Sequence, residues 1–75
     1  MSLGARLLNL RKSKQLSQEE VADKLNVTRQ TISKWETDQS TPDFDKIVPL
    51  CELYEITADE LLTGNSKEKV IDDNI

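Results

Sequence analysis

The chain has 75 residues, 36% of them hydrophobic and 32% charged, with ten basic against fourteen acidic side chains and a formal net charge of −4. That is the composition of one small globular domain, whose core must be packed efficiently or be completed by a partner. There is no histidine and a single cysteine, Cys51, which removes an internal disulfide, most metal sites and most acid–base catalysis at neutral pH, so neither a metal nor a cofactor is expected.

An enzyme reading finds no Gly-rich loop and no nucleophile–base pair to stand on. No apolar run approaches the ~20 residues that cross a bilayer, and Met1-Ser2-Leu3-Gly4 lacks the basic-then-apolar order of a signal peptide. The expectation is a reduced, cytoplasmic protein whose present segment makes no membrane contact. The net charge conceals a polarity. Residues 1–37 carry seven basic and four acidic side chains, and residues 38–75 carry three basic and ten acidic. A basic half can face a polyanion while an acidic half is kept away from it.

Taken in chain order, Leu3, Leu7 and Leu10 recur at helical spacing and predict an amphipathic helix over residues 3–14, with Leu8 off the stripe and half exposed. Ser17 can cap a second helix and Glu20, three residues on, completes a capping box, while Leu16 and Val21 are spaced as a hydrophobic staple. That helix runs to about Leu25 and buries Val21, Ala22 and Leu25. Asn26, tolerant of a left-handed backbone, marks a tight turn.

Thr28 caps a third helix over 28–37, with Ile32 and Trp35 on its buried side. Asp38 to Asp43 is a loop by composition. A fourth helix over 44–54 draws on Phe44, Ile47, Val48, Leu50, Cys51, Leu53 and Tyr54, and Pro49 inside it is expected to kink or shorten it. Thr57 and Glu60 repeat the capping box and Ile56 and Leu61 the staple, giving a fifth helix over 58–63 that ends at Gly64. Residues 65–75 are polar and aperiodic, and read as a tail or the start of a linker. There is no strand signal. The expected architecture is all-α, a compact bundle of five helices over residues 1–64.

Residues 18–36 carry the functional signal. A short helix with small Ala22 at its middle, a turn at Asn26, and a second helix with Ile32 and Trp35 inward form the pattern of two helices that cross steeply and lock. This is the helix-turn-helix arrangement, whose second helix enters the DNA major groove. With Ile32 and Trp35 inward, Arg29, Gln30, Ser33 and Lys34 point outward. Arg and Lys suit guanine O6 and N7, and Gln suits adenine.

Leu10-Arg11-Lys12, Leu16-Ser17-Gln18-Glu19-Glu20-Val21-Ala22, the run Val27 to Glu36, and Ile56-Thr57-Ala58-Asp59-Glu60-Leu61-Leu62 together resemble the phage repressor and Cro family of helix-turn-helix transcriptional regulators (xenobiotic-response-element-like). The resemblance spans residues 3–64. It implies that Arg29, Gln30, Ser33 and Lys34 read bases and that Gln18 binds a phosphate, with Thr28, Thr31, Thr37 and Gln39 as further phosphate candidates. It also implies a partly buried salt bridge between Arg11 and Glu36. The sequence departs from the family at its usual glycines: Gln15, Asp38 and Glu55 stand at helix ends, and Asn26 at the turn.

The function expected is a sequence-specific double-stranded DNA-binding transcriptional regulator, dimeric on a near-palindromic operator, with Leu62, Val70 and Ile71 as candidates for the dimer surface. The rival reading is a protein-interaction module that keeps the fold and regulates another transcription factor. A further ligand-sensing or membrane domain belongs to the resemblance if the chain is a fragment.

Overall fold

A computed structural model describes residues 1–64, so the predicted tail and the candidates Val70 and Ile71 lie outside the described residues. The described residues form five α-helices: α1 (Leu3–Ser13), α2 (Gln18–Leu25), α3 (Arg29–Glu36), α4 (Phe44–Tyr54) and α5 (Ala58–Thr63). The described residues contain no strand.

The helix starts follow from local chemistry. Ser17 accepts from Glu20 N at 3.0 Å while Glu20 Oε1 accepts from Ser17 N at 2.8 Å. Thr57 and Glu60 repeat this box at 3.0 and 3.2 Å. Each box satisfies amide donors that a helix leaves unpaired at its N-terminus. Thr28 caps α3 through Thr31 N, and Ser2 caps α1 through Ala5 N. α4 is the exception, since Asp43 makes no side-chain cap.

The helix ends use left-handed residues without glycine at four places: Gln15 (φ 59°), Asn26 (φ 60°), Asp38 (φ 63°) and Glu55 (φ 58°). The turns expected of glycines therefore form without them. Pro49 does not shorten α4, which keeps all 11 predicted residues. Its missing N–H removes one internal hydrogen bond, at the carbonyl of Asp45, an exposed residue in the first turn.

The core consists of Leu7, Val21, Ala22, Leu25, Ile32, Trp35, Ile47, Leu50, Tyr54 and Leu61, with Leu3, Leu10, Leu16, Val27, Cys51, Leu53 and Ile56 packed against it. Leu7, Val21, Ile32, Trp35, Leu50 and Tyr54 meet around one interior point, so all of the first four helices converge on Trp35. The apolar supply of α4 divides. Ile47, Leu50 and Tyr54 share its inner face. Phe44 is 88% exposed and Val48 58% exposed, because they lie one turn apart on the side rotated away from those three. Cys51 is half-buried rather than buried, and that burial pushes its thiol pKa up.

Two junctions fix α1 on the rest. Arg6 donates to the carbonyls of Leu61 (2.8 Å) and Leu62 (3.0 Å), tying the end of α5 to α1. At the other end, Gly4 lies against the C-terminus of α3. A Cβ there would sit 2.6 Å from Trp35 O and 2.7 Å from Glu36 O, so only glycine permits the approach. Gly4 N donates to Asp38 Oδ1 at 2.9 Å. Hydrogen bonds from the Ser2 hydroxyl and then from Gly4 N hold the Asp38 carboxyl below its ordinary value.

Two outcomes follow. Trp35→Ala, which empties the meeting point of four helices, is expected to cost roughly 3–5 kcal/mol in urea unfolding, enough to leave so small a protein largely unfolded. Asp38 has a depressed folded-state pKa, so its contribution is present above the ordinary aspartate value and lost as pH falls through the folded one. Asp38→Asn keeps the left-handed turn and an uncharged acceptor. Thermal melts run below about pH 5 are expected to show a shallower loss of stability for this variant than for the wild type.

Candidate nucleic-acid interface

α2 and α3 are joined by three residues, Asn26, Val27 and Thr28. The left-handed Asn26 lets Val27 N reach back to Ala22 O at 2.9 Å, which closes α2 and turns the chain sharply into α3. Lys46 Nζ, from α4, donates to the terminal carbonyl of Leu25 at 3.0 Å. Ala22 is buried at the crossing, and Val21, Leu25 and Ile32 fill it. The angle between the helices is thus held by apolar packing, by a backbone turn and by α4.

With Ile32 and Trp35 buried, helical periodicity turns Arg29, Gln30 and Lys34 to solvent, while Ser33 is half-buried beside them. The candidates for phosphate contact are scattered around this face. Gln18 opens α2 and is half-buried, and Thr28 and Thr31 stand at the start of α3 with their hydroxyls hydrogen-bonded to each other at 2.9 Å. Thr37 and Gln39 follow the end of α3. The Thr37 hydroxyl donates to Ser33 O at 2.9 Å and accepts from Gln39 Nε2 at 2.9 Å. Its proton is therefore committed to the helix end.

Behind the face sits an ion pair. Arg11 Nε donates to Glu36 Oε2 at 2.7 Å and Arg11 Nη2 to Glu36 Oε1 at 3.1 Å. The two side chains are 13% and 4% exposed. Arg11 Nη1 also donates to Leu16 O at 2.9 Å, so one guanidinium joins α1, the turn before α2, and the last residue of α3. Glu36 raises the pKa of Arg11 further above its ordinary value. Burial, and then the Glu36 charge, push the neighbouring Tyr54 hydroxyl up to about 12.

Glu36 has a second partner that the sequence gives no sign of. Gln18 Nε2 donates to Glu36 Oε1 at 3.0 Å, and Arg29 Nη1 donates to Gln18 Oε1 at 3.2 Å. No motif or spacing announces a contact between residues 18 and 36, since it depends on how α2 and α3 cross. Among the described residues no buried side-chain nitrogen or oxygen lacks a partner.

The family model described as helix-turn-helix matches residues 7–61. The chain belongs to the helix-turn-helix family, of the Cro/C1 type. It is similar to the HTH-type transcriptional activator BcrR of Enterococcus faecalis, 38% identical over 64 residues that make up 85% of this chain and 31% of that protein. It is also similar to the HTH-type transcriptional regulator ImmR of Bacillus subtilis (strain 168), 40% identical over 92% of this chain and 54% of the regulator. The chain thus spans about a third to a half of the length of these relatives. Among solved structures, the P22 c2 repressor protein in complex with a synthetic operator superposes with a TM-score of 0.83 at 25% identity. That match covers 87% of this chain and 98% of the repressor chain. Over its described residues this helix-turn-helix protein is an all-helical bundle of the repressor type.

The buried ion pair generates a stability prediction. Removing the cation by Arg11→Met leaves a carboxylate sealed from water beside a weak amide donor, and is expected to cost roughly 3–5 kcal/mol in urea unfolding followed by circular dichroism.

Proposed function

We propose that this helix-turn-helix protein binds double-stranded DNA sequence-specifically and regulates transcription, with α3 in the major groove. One observation carries the reading. The face of α3 opposite Ile32 and Trp35 presents Arg29, Gln30, Ser33 and Lys34, on a helix whose angle is fixed by α2, by Lys46 and by the Arg11–Glu36 pair. Donor-rich side chains at consecutive outward positions match base edges in the major groove, where each base pair has its own donor and acceptor pattern.

Around them, Gln18 and the N-terminus of α2 are suited to one phosphate, and Thr28, Thr31, Thr37 and Gln39 to others along the backbone. Thr37 would meet a phosphate only with its hydroxyl turned from Ser33. The similar P22 c2 repressor is bound to an operator, and the family relatives are transcriptional regulators. Both support the reading. The place of action is the cytoplasm, and the role is binding rather than catalysis.

A single unit of this size covers little DNA. Two copies on half-sites one helical turn apart supply affinity and imply a near-palindromic operator. Leu62, 51% exposed at the end of α5, is our candidate for the pairing surface.

Bound sites selected from a random DNA pool give the operator against which the reading is tested. Affinity is expected to fall steeply as salt rises from about 50 to 200 mM, because phosphate contacts release counterions. Arg29→Ala is expected to lower the ratio of operator to non-specific affinity by about tenfold and to relax one base pair per half-site, with the melting temperature almost unchanged. A binding constant insensitive to salt, or no selected sequence, would overturn the proposal and favour a protein partner.

A further inference from the structure

The chain has one tryptophan, one tyrosine and one phenylalanine, and the fold does not treat them alike. Trp35 and Tyr54 are buried in the core, whereas Phe44 is 88% exposed. Val48, one turn further along α4, is 58% exposed, and the half-buried Cys51 follows on the same flank. Phe44, Val48 and Cys51 stand at i, i+4 and i+7, the spacing of a stripe that packs against another helix. α4 thus carries two apolar stripes. Ile47, Leu50 and Tyr54 meet the core, and the second stripe turns Phe44 and Val48 to solvent.

The border of this outer stripe is acidic. Asp45 and Glu52, each one position after a member of the stripe, flank it on its solvent side, and Asp43 stands just before the helix. All three are exposed. Among the described residues none of them lies within ion-pair distance of a cation. Lys46, the one basic residue of α4, is turned the other way, where it holds the carbonyl of Leu25 at 3.0 Å. Pro49 adds a backbone acceptor, because it offers the Asp45 carbonyl no N–H.

We infer that the outer stripe of α4 docks a basic amphipathic helix of another protein, apolar at i, i+4 and i+7 and carrying Arg or Lys beside that row. The site goes beyond the DNA-binding reading and does not depend on it. Charge decides among the occupants. Three carboxylates repel a phosphate backbone. A second copy paired about a two-fold axis sets the patch against itself, so that Asp45 and Glu52 meet like charge. A basic amphipathic helix offers apolar side chains to Phe44 and Val48 and donors to the carboxylates and the Asp45 carbonyl. In such a contact the apolar row, with Phe44 as its aromatic anchor, supplies affinity, and the flanking charges select the partner.

The test uses the whole chain. Random peptides of about 15 residues, enough for about four helical turns, are selected on the wild type and counter-selected on the double variant Phe44→Ser, Val48→Ser. Both positions are exposed, so the variant is expected to melt almost as the wild type does. The surviving peptides are expected to be basic, with apolar residues at i, i+4 and i+7. Titrated into the wild type, such a peptide is expected to shift backbone amide resonances of residues 44–52. The pair Asp45→Asn, Glu52→Gln is expected to weaken it about tenfold. Operator affinity is expected to be equal in the wild type and in Phe44→Ser, Val48→Ser.

No surviving peptide, or survivors without the basic amphipathic pattern, would overturn the inference. So would a loss of operator affinity in Phe44→Ser, Val48→Ser, which would make the patch part of the DNA surface. Self-association of the wild type that this variant abolishes in sedimentation equilibrium would overturn it too, by giving the patch to a second copy.

Discussion

A carboxylate sealed from water is tolerable only when cations and donors surround it, and the assembly of this bundle turns on that requirement at Glu36. The residue ends α3 and is buried because Trp35 and Ile32 draw that helix into the core. Arg11 must then come from α1 to meet it, and the same guanidinium takes the carbonyl of Leu16 just before α2. Two helices and the turn that leads into α2 are thereby registered by one arginine. Apolar packing alone tolerates sliding of one smooth surface over another, whereas a bidentate arginine–carboxylate contact fixes both position and angle. The pair is better understood as setting the geometry of α3 than as a large net source of stability, since desolvation offsets much of its attraction.

The ends of the helices show a second constraint. Four non-glycine residues adopt a left-handed backbone at about 1–2 kcal/mol each, where glycine would cost nothing in steric strain. Each site has some relief. Asn26 is one of the residue types that tolerates the region. Asp38 recovers interactions with Ser2 and Gly4 that a glycine has no side chain to make. Glu55 meets Lys14 at 3.0 Å across the bundle, an exposed pair that adds little. At Gln15 the left-handed turn lets Gln15 N donate to Lys12 O at 3.0 Å and Leu16 N to Arg11 O at 3.1 Å, which closes the end of α1.

Much of the fold was legible because it is written in local signals. Capping boxes at Ser17 and Thr57, the left-handed Asn26, and the inward pair Ile32 and Trp35 each depend on a few neighbouring residues, and each placed its helix within a residue or two. What was not legible depends on several helices at once. Phe44 and Val48 are as apolar as Ile47, and only the rotation of α4 on the core separates them. Gly4 carries no periodicity, and its role appears only once the carbonyls of Trp35 and Glu36 lie where a Cβ would be. The outward face of α3 followed from periodicity. The contact of Gln18 with Glu36 did not, because residues 18 positions apart meet only through the crossing of two helices.

The arrangement separates what holds the protein together from what it presents. Arg29, Gln30 and Lys34 lie outside the core, so exchanging them leaves the packing of Ile32 and Trp35 untouched and costs little stability. A small protein with a narrow stability margin can therefore change its outward face freely, provided the inward one is kept. Gln18 is the point where the separation fails. Its amide touches the buried Glu36 and the exposed Arg29 together, so a change at residue 18 is felt on both sides. Conversely, a substitution at residue 29 by a group that cannot donate would leave the Gln18 carbonyl facing outward without its partner. That carbonyl lies at the exposed face, where water can replace the lost donor, so a change at residue 29 is felt less by the core than one at residue 18.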